Sequence, residues 1–220
     1  MSADKADKTM LRLRRMSTAG RAALVAELLA GAFPEPGVPL QHRDAFTLLV
    51  AVMLSAQCTD ARVNIVTPAL FDAAPDAAAL AAMSPQQVHG YIATCGLAAT
   101  KAQRLVDMAK LLVERHGGRV PDSFDALEDL PGVGHKTASV VMNQAFGVPA
   151  FPVDTHIYRL ARRWGLSKGK TVEQVEADLK RIFPVSEWGK LHIRLVLWGR
   201  KYCPARGCKP TCAICERLQA

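Results

Sequence analysis

Between two helical runs of this 220-residue chain stands Leu130-Pro131-Gly132-Val133-Gly134-His135-Lys136. No other segment restricts the fold as much. Proline disfavours a helix interior, and the two glycines permit a tight turn and close backbone approach to a ligand. A new helix is predicted from His135 or Lys136, so unpaired backbone N–H groups and the positive end of a helix dipole lie at the turn. Such an end suits a phosphate. Eighteen residues beyond Lys136, Val153-Asp154-Thr155-His156 puts a carboxylate at a second helix start. A phosphate anchor, an amine and a carboxylate are the parts needed for chemistry on the sugar of a nucleic-acid backbone.

The rest of the chain also reads as helices punctuated by Gly and Pro, with no alternating strand pattern. The expectation is an all-α protein. Helices are predicted over 20–32, 44–56, 60–72, from Ser84-Pro85 to near Gly96, 101–116, 123–129, 135–146 and 154–164. Two more run from Thr171 through Phe183 and from Ser186 to about Gly199. Thr171 and Gln174 have the spacing of a capping box, with Val172, Val175, Leu179 and Ile182 facing inward. Residues 1–16 are polar and basic and are expected to fray.

The net charge is +8, and its placement is uneven. Residues 1–150 carry 14 basic and 14 acidic groups, whereas 151–220 carry 14 and 6. A basic last third suits a polyanion such as DNA or RNA. No apolar run is long enough for a membrane span and no secretory signal is visible, so a cytoplasmic protein is expected. Four of the six cysteines, Cys203, Cys208, Cys212 and Cys215, fall within thirteen residues. A secreted disulfide framework would spread them; clustering argues for a metal, either structural zinc or an iron–sulfur cluster. Cys58 and Cys95 read as small buried residues.

Each candidate also has a plain structural role. Lys136 could be a surface lysine, although the helix field disfavours a cation there and lowers an amine pKa, as burial would further. Asp154 is a favoured N-cap type. Together, however, Leu130–Val141, Pro152–Ile157, Leu54-Ser-Ala-Gln-Cys-Thr-Asp60 and the Trp198–Cys203 region with its cysteines closely resemble the endonuclease III family of DNA glycosylases, over about residues 20–215.

The resemblance implies two helical lobes with a DNA-binding cleft between them: a helix-hairpin-helix six-helix barrel over 38–149, and an iron–sulfur lobe built from 1–37 and 150–220. It implies a base-excision-repair glycosylase with AP (β-elimination) lyase activity, acting as a monomer on double-stranded DNA that contains damaged pyrimidines or abasic sites, in a nucleoid-associated setting. Lys136 matches the lysine that forms a Schiff base with C1′, and Asp154 the carboxylate that activates it. Gln57 and Leu97 match the residues that fill the hole left by an extruded nucleotide. Gly132, Val133 and Gly134 match the phosphate-binding hairpin, and His156 is a further candidate DNA contact. The rivals are a monofunctional mismatch glycosylase, set against Lys136, and a catalytically weak DNA-binding protein, set against the Lys136–Asp154 pair.

Two departures from the family pattern stand out. Ala98 and Ala99 replace a larger aromatic and a polar residue, which implies a narrower lesion range. The family places its [4Fe–4S] cysteines as Cys-x6-Cys-x2-Cys-x5-Cys; Cys203, Cys212 and Cys215 fit the first three, and the fourth would fall at 221. Cys208, in a first loop two residues longer, is expected to replace it; the rivals are a three-cysteine cluster with a non-protein ligand, or loss of the cluster. Basic tail residues Arg200, Lys201, Arg206 and Lys209 are candidate phosphate contacts.

Overall fold

The structure, a computed structural model, describes residues 16–209 and 211–218. The expectation for residues 1–16 lies, Met16 apart, outside the described residues. Among the described residues every regular element is helical, and no helix is long and apolar enough to cross a membrane. The chain divides into two compact units: Val38–Ala150, and the residues up to Gly37 together with those from Phe151 onward.

The Val38–Ala150 unit is organised on α2 (Ala45–Ser55), whose residues Phe46 through Leu54 are all buried. A helix apolar on every side needs neighbours on every side. Asp44 and Thr47 close its start as a capping box. Around it lie α3 (Asp60–Ala73), α4 (Ala77–Ala82), α5 (Pro85–Ile92), α6 (Ala98–His116), α7 (Phe124–Glu128) and α8 (His135–Phe146). Ser84 and Gln87 cap α5 reciprocally, with Pro85 in the first turn. The expected reach of α5 to Gly96 is too long: it ends at Ile92, and a turn carries the chain to Leu97. Helix α4 has no counterpart in the sequence reading, because its run of alanines has no apolar period to detect.

The other unit gathers α1 (Thr18–Ala32), α9 (Thr155–Arg163), α10 (Val172–Ile182), a 3-10 turn (Val185–Glu187), α11 (Trp188–Lys201) and α12 (Ala213–Leu218) around Trp164, Phe151, Leu29 and Leu160. Buried Arg194 ties the early segment to the late one. Its Nε donates to the Phe33 carbonyl at 2.9 Å and its Nη2 to the Pro34 carbonyl at 2.7 Å. Arg21 does the same in reverse, reaching the Trp164 carbonyl at 3.3 Å.

Three local expectations need correction. Val172 is exposed rather than inward, since it occupies the first turn of α10. The box there is half formed: Thr171 accepts from Gln174 N–H, but the Gln174 side chain accepts from Lys170 N–H. The helix expected from Ser186 starts later, at Trp188, because a 3-10 turn leads directly into it and Glu187 takes the cap position without a side-chain bond.

Candidate active site and metal centre

The hairpin is built by α7 and α8. Leu130 and Val133 are buried and anchor it. Gly132 adopts φ +83°, and a Cβ there would lie 3.0 Å from Arg104 Cδ and 3.1 Å from Met53 Cε. Glycine is therefore needed both for the torsion and for the space. His135 closes the hairpin: its ring nitrogen lies 2.8 Å from Glu128 Oε1 and its ring stacks on Phe124. Gly134 is the N-cap of α8 and supplies no side-chain cap. A glycine at this position offers the first turn no side-chain acceptor. Because the Val133 side chain is buried, it is available to a ligand only through its backbone. Lys136 lies in that first turn and is exposed.

Asp154 caps α9, its Oδ1 accepting from Ile157 N–H at 2.8 Å. The plain reading therefore holds, and it fixes the carboxylate by occupying one oxygen only. His156, two residues on, is half-buried. Its Nδ1 accepts from Arg159 Nη2 at 3.3 Å, and Arg159 Nη2 also donates to the Cys203 carbonyl at 2.7 Å. Burial lowers the His156 pKa, partly opposed by Asp154.

Gln57 and Leu97 are the only described non-glycine residues with positive φ, at 53° and 59°. That conformation costs an L-residue about 1–2 kcal/mol, so the surroundings must impose it. Both side chains are exposed, Leu97 at 57%. Their backbones meet at Gly96, where a Cβ would fall 2.5 Å from the Gln57 carbonyl oxygen. Cys95 is buried and Cys58 half-buried against the same apolar core. Ala98 is also buried, so of the two alanines in this loop only Ala99 faces solvent.

The sulfurs of Cys203, Cys208, Cys212 and Cys215 lie within 4.8 Å of one another. The sequence reading missed the groups that support them. Trp164 Nε1 donates to Cys215 at 3.2 Å, Trp198 Nε1 to Cys212 at 3.3 Å, and Arg163 Nη1 to Cys203 at 3.0 Å. Hydrogen bonds of this kind favour thiolate over thiol. Burial pushes the Cys212 thiol up, yet the Cys215 backbone N–H and the Trp198 indole outweigh it and hold it below its usual value. Burial dominates at Cys215, pushed up to about 11, and also raises Cys208. Cys208 is half-buried, whereas the other three are buried. Gly207, with φ +130°, turns the chain before it. Four thiolates form a soft donor set that fits zinc or an iron–sulfur cluster. Arg200, Lys201, Arg206 and Lys209 are all exposed.

Residues 50–185 match the HhH-GPD superfamily of base excision DNA repair proteins. The chain is 47% identical to endonuclease III of Treponema pallidum (strain Nichols), covering 87% of this chain and 90% of that protein. It is 44% identical to the Escherichia coli (strain K12) endonuclease III, covering 83% and 85%. A solved endonuclease III trapped as a covalent intermediate with DNA superposes with a TM-score of 0.87 at 38% identity, covering 91% of this chain and 95% of that one. The motifs, the helical architecture and these matches agree: the chain belongs to the endonuclease III family of HhH-GPD base excision DNA repair proteins.

Proposed function

We infer that the chain is a bifunctional DNA glycosylase and AP lyase of base excision repair, which removes oxidised pyrimidines from double-stranded DNA through a Schiff base on Lys136. The observation that carries the reading is the start of α8, where a glycine N-cap with no side chain and an exposed lysine share one helix end. A relative caught in a covalent intermediate with DNA supports it. The hairpin holds a phosphate through backbone N–H groups, which fixes position without reading sequence. Gln57 and Leu97 enter the stack as the damaged nucleotide leaves it, a step that costs a few kcal/mol of unstacking.

Lys136 Nζ attacks C1′ with its lone pair as the bond to the base breaks, and the amine gives up a proton; activating this amine is the role proposed for Asp154. The base departs with the electron pair and takes up a proton. O4′ is protonated as the sugar ring opens, leaving C1′ doubly bonded to the lysine nitrogen. Loss of a C2′ proton then expels the 3′ phosphate, and water hydrolyses the imine. The Asp154 carboxylate also stabilises positive charge that develops on the sugar.

Cys203, Cys208, Cys212 and Cys215 would hold a [4Fe–4S] cluster, whose contribution when bound is a structural cross-link of the C-terminal segment. Zinc is the second reading, favoured by one distance. Cys203 and Cys215 sulfurs are 3.7 Å apart, close to the edge of about 3.8 Å that a tetrahedron with 2.3 Å zinc–sulfur bonds has. A [4Fe–4S] cluster would need the four sulfurs further apart.

Borohydride tests the central step. Wild-type protein is expected to be trapped on abasic duplex DNA and Lys136→Ala is not; equal trapping by both would reject the nucleophile. Release of oxidised pyrimidines, measured apart from strand nicking, tests the substrate class.

A further inference from the structure

We propose that Lys101 is the positioning residue that holds Gln57 and Leu97 ready to enter the DNA stack. The inference rests on the reading of those two side chains given above. Lys101 is 7% exposed, a rare environment for an ammonium group. It lies in the first turn of α6 and reaches across to the end of α2. There its Nζ donates to the Leu54 carbonyl at 2.8 Å and to the Ala56 carbonyl at 2.5 Å. Carbonyls at a helix C-terminus lack intrahelical partners and carry the negative end of the dipole, so they suit a cation.

The consequence lies in the next residue. Ala56 immediately precedes Gln57, so fixing its carbonyl fixes the peptide plane from which Gln57 turns into its left-handed conformation. Lys101 also holds the other partner. Its backbone N–H donates to the Leu97 carbonyl at 3.0 Å. One residue thereby fastens the two left-handed positions, one through its side chain and one through its main chain. Gly96 completes the clamp by letting the Leu97 loop close onto the Gln57 carbonyl. Strained torsions persist only where their surroundings over-determine them. Lys101 supplies that constraint without touching DNA.

Burial lowers the Lys101 pKa, while Cys58 and Cys95 pull the other way. A buried cation is costly unless its donors are satisfied. A lysine that only filled space would be better replaced by methionine or leucine. Its place at the root of both exposed side chains is what a positioning role accounts for.

The test separates extrusion from chemistry. Single-turnover base release from a duplex carrying an oxidised pyrimidine needs extrusion. Borohydride trapping on single-stranded abasic DNA does not. Lys101→Met is expected to lower the first at least tenfold and leave the second within twofold of wild type. A Gln57→Ala/Leu97→Ala variant should likewise lose duplex base release, and adding Lys101→Met to it should lower duplex activity no further. Unchanged duplex activity in Lys101→Met, an equal loss in both assays, or full additivity would each overturn the role of Lys101. Unchanged duplex activity in Gln57→Ala/Leu97→Ala would instead reject the underlying reading of the pair. Should Lys101→Met fail to fold, Lys101→Gln, a neutral donor on a side chain one atom shorter, is carried through the same assays. An unaltered duplex to single-strand ratio in that variant overturns the proposal.

Discussion

Asp154 holds a cap and, in the proposed reaction, a charge, and one substitution separates the two duties. Asparagine caps a helix about as well as aspartate, so Asp154→Asn should keep the bond to Ile157 N–H and leave the melting temperature nearly unchanged. Turnover should fall by a hundredfold or more while DNA affinity changes little. A melting temperature that falls along with activity would reduce Asp154 to a cap. His156 gives a prediction in pH. Its folded pKa lies below 6.5, the value in an unfolded chain. The unfolded state then binds more protons as pH falls below that value, so the stability that neutral His156 contributes is present above pH 6.5 and lost on acidification through the folded pKa. Denaturant midpoints of wild type and His156→Gln should diverge above pH 6.5 and converge in acid; a constant gap would show that titration of His156 does not contribute.

At the scale of elements, what was legible in the sequence was local. Punctuation marked the hairpin, Ser84-Pro85 marked a cap, and α8 matches its expected bounds of 135–146. What stayed hidden was long-range pairing between side chains and main-chain carbonyls. Lys101 with Leu54 and Ala56, and Arg194 with Phe33 and Pro34, leave no periodic trace, because a lone cation in a helix looks the same whether it faces solvent or a distant helix end. The indole donors to Cys212 and Cys215 were hidden for the same reason. Gly132 shows how tightly an element can be set by its neighbours. Gly132→Ala forces an L-residue to φ +83° and presses on Arg104 and Met53, at a cost of about 1–2 kcal/mol for the torsion alone. The melting temperature should drop by about 3–8 °C, and affinity for undamaged duplex should weaken as well. A variant as stable as wild type would mean that the turn can rearrange.

For the whole molecule, charge and metal are the measurable quantities. The exposed Arg206 and Lys209 belong to a basic segment that can release counterions from DNA. If both contact phosphates, Arg206→Ala/Lys209→Ala should flatten the slope of log affinity against log salt by about 2. An unchanged slope places the phosphate contacts elsewhere. Purified protein should contain about four irons per chain if the centre is a cubane, and Cys208→Ser should lose iron or become oxygen-sensitive while Cys58→Ser retains it. Full iron in the Cys208 variant would reject that ligand, and one zinc per chain would favour the tetrahedral reading. The charge surplus and the cysteine cluster were both visible in the sequence. The convergence of four sulfurs onto one point required the fold, because Cys208 departs from the spacing of its family.

The grip of Arg194 on Phe33 and Pro34 also has a meaning in time. Residues up to Gly37 belong with residues from Phe151 onward, so their partners leave the ribosome only after the whole intervening unit has been made. The Val38–Ala150 unit, complete with its hairpin and Lys136, can settle during synthesis. The early helix must wait for Arg194, and the cysteines emerge last of all. A nascent chain arrested near residue 190 would therefore carry a folded hairpin beside an unpaired α1. Metal could then enter only after the segment that carries the four cysteines has followed Arg194 out.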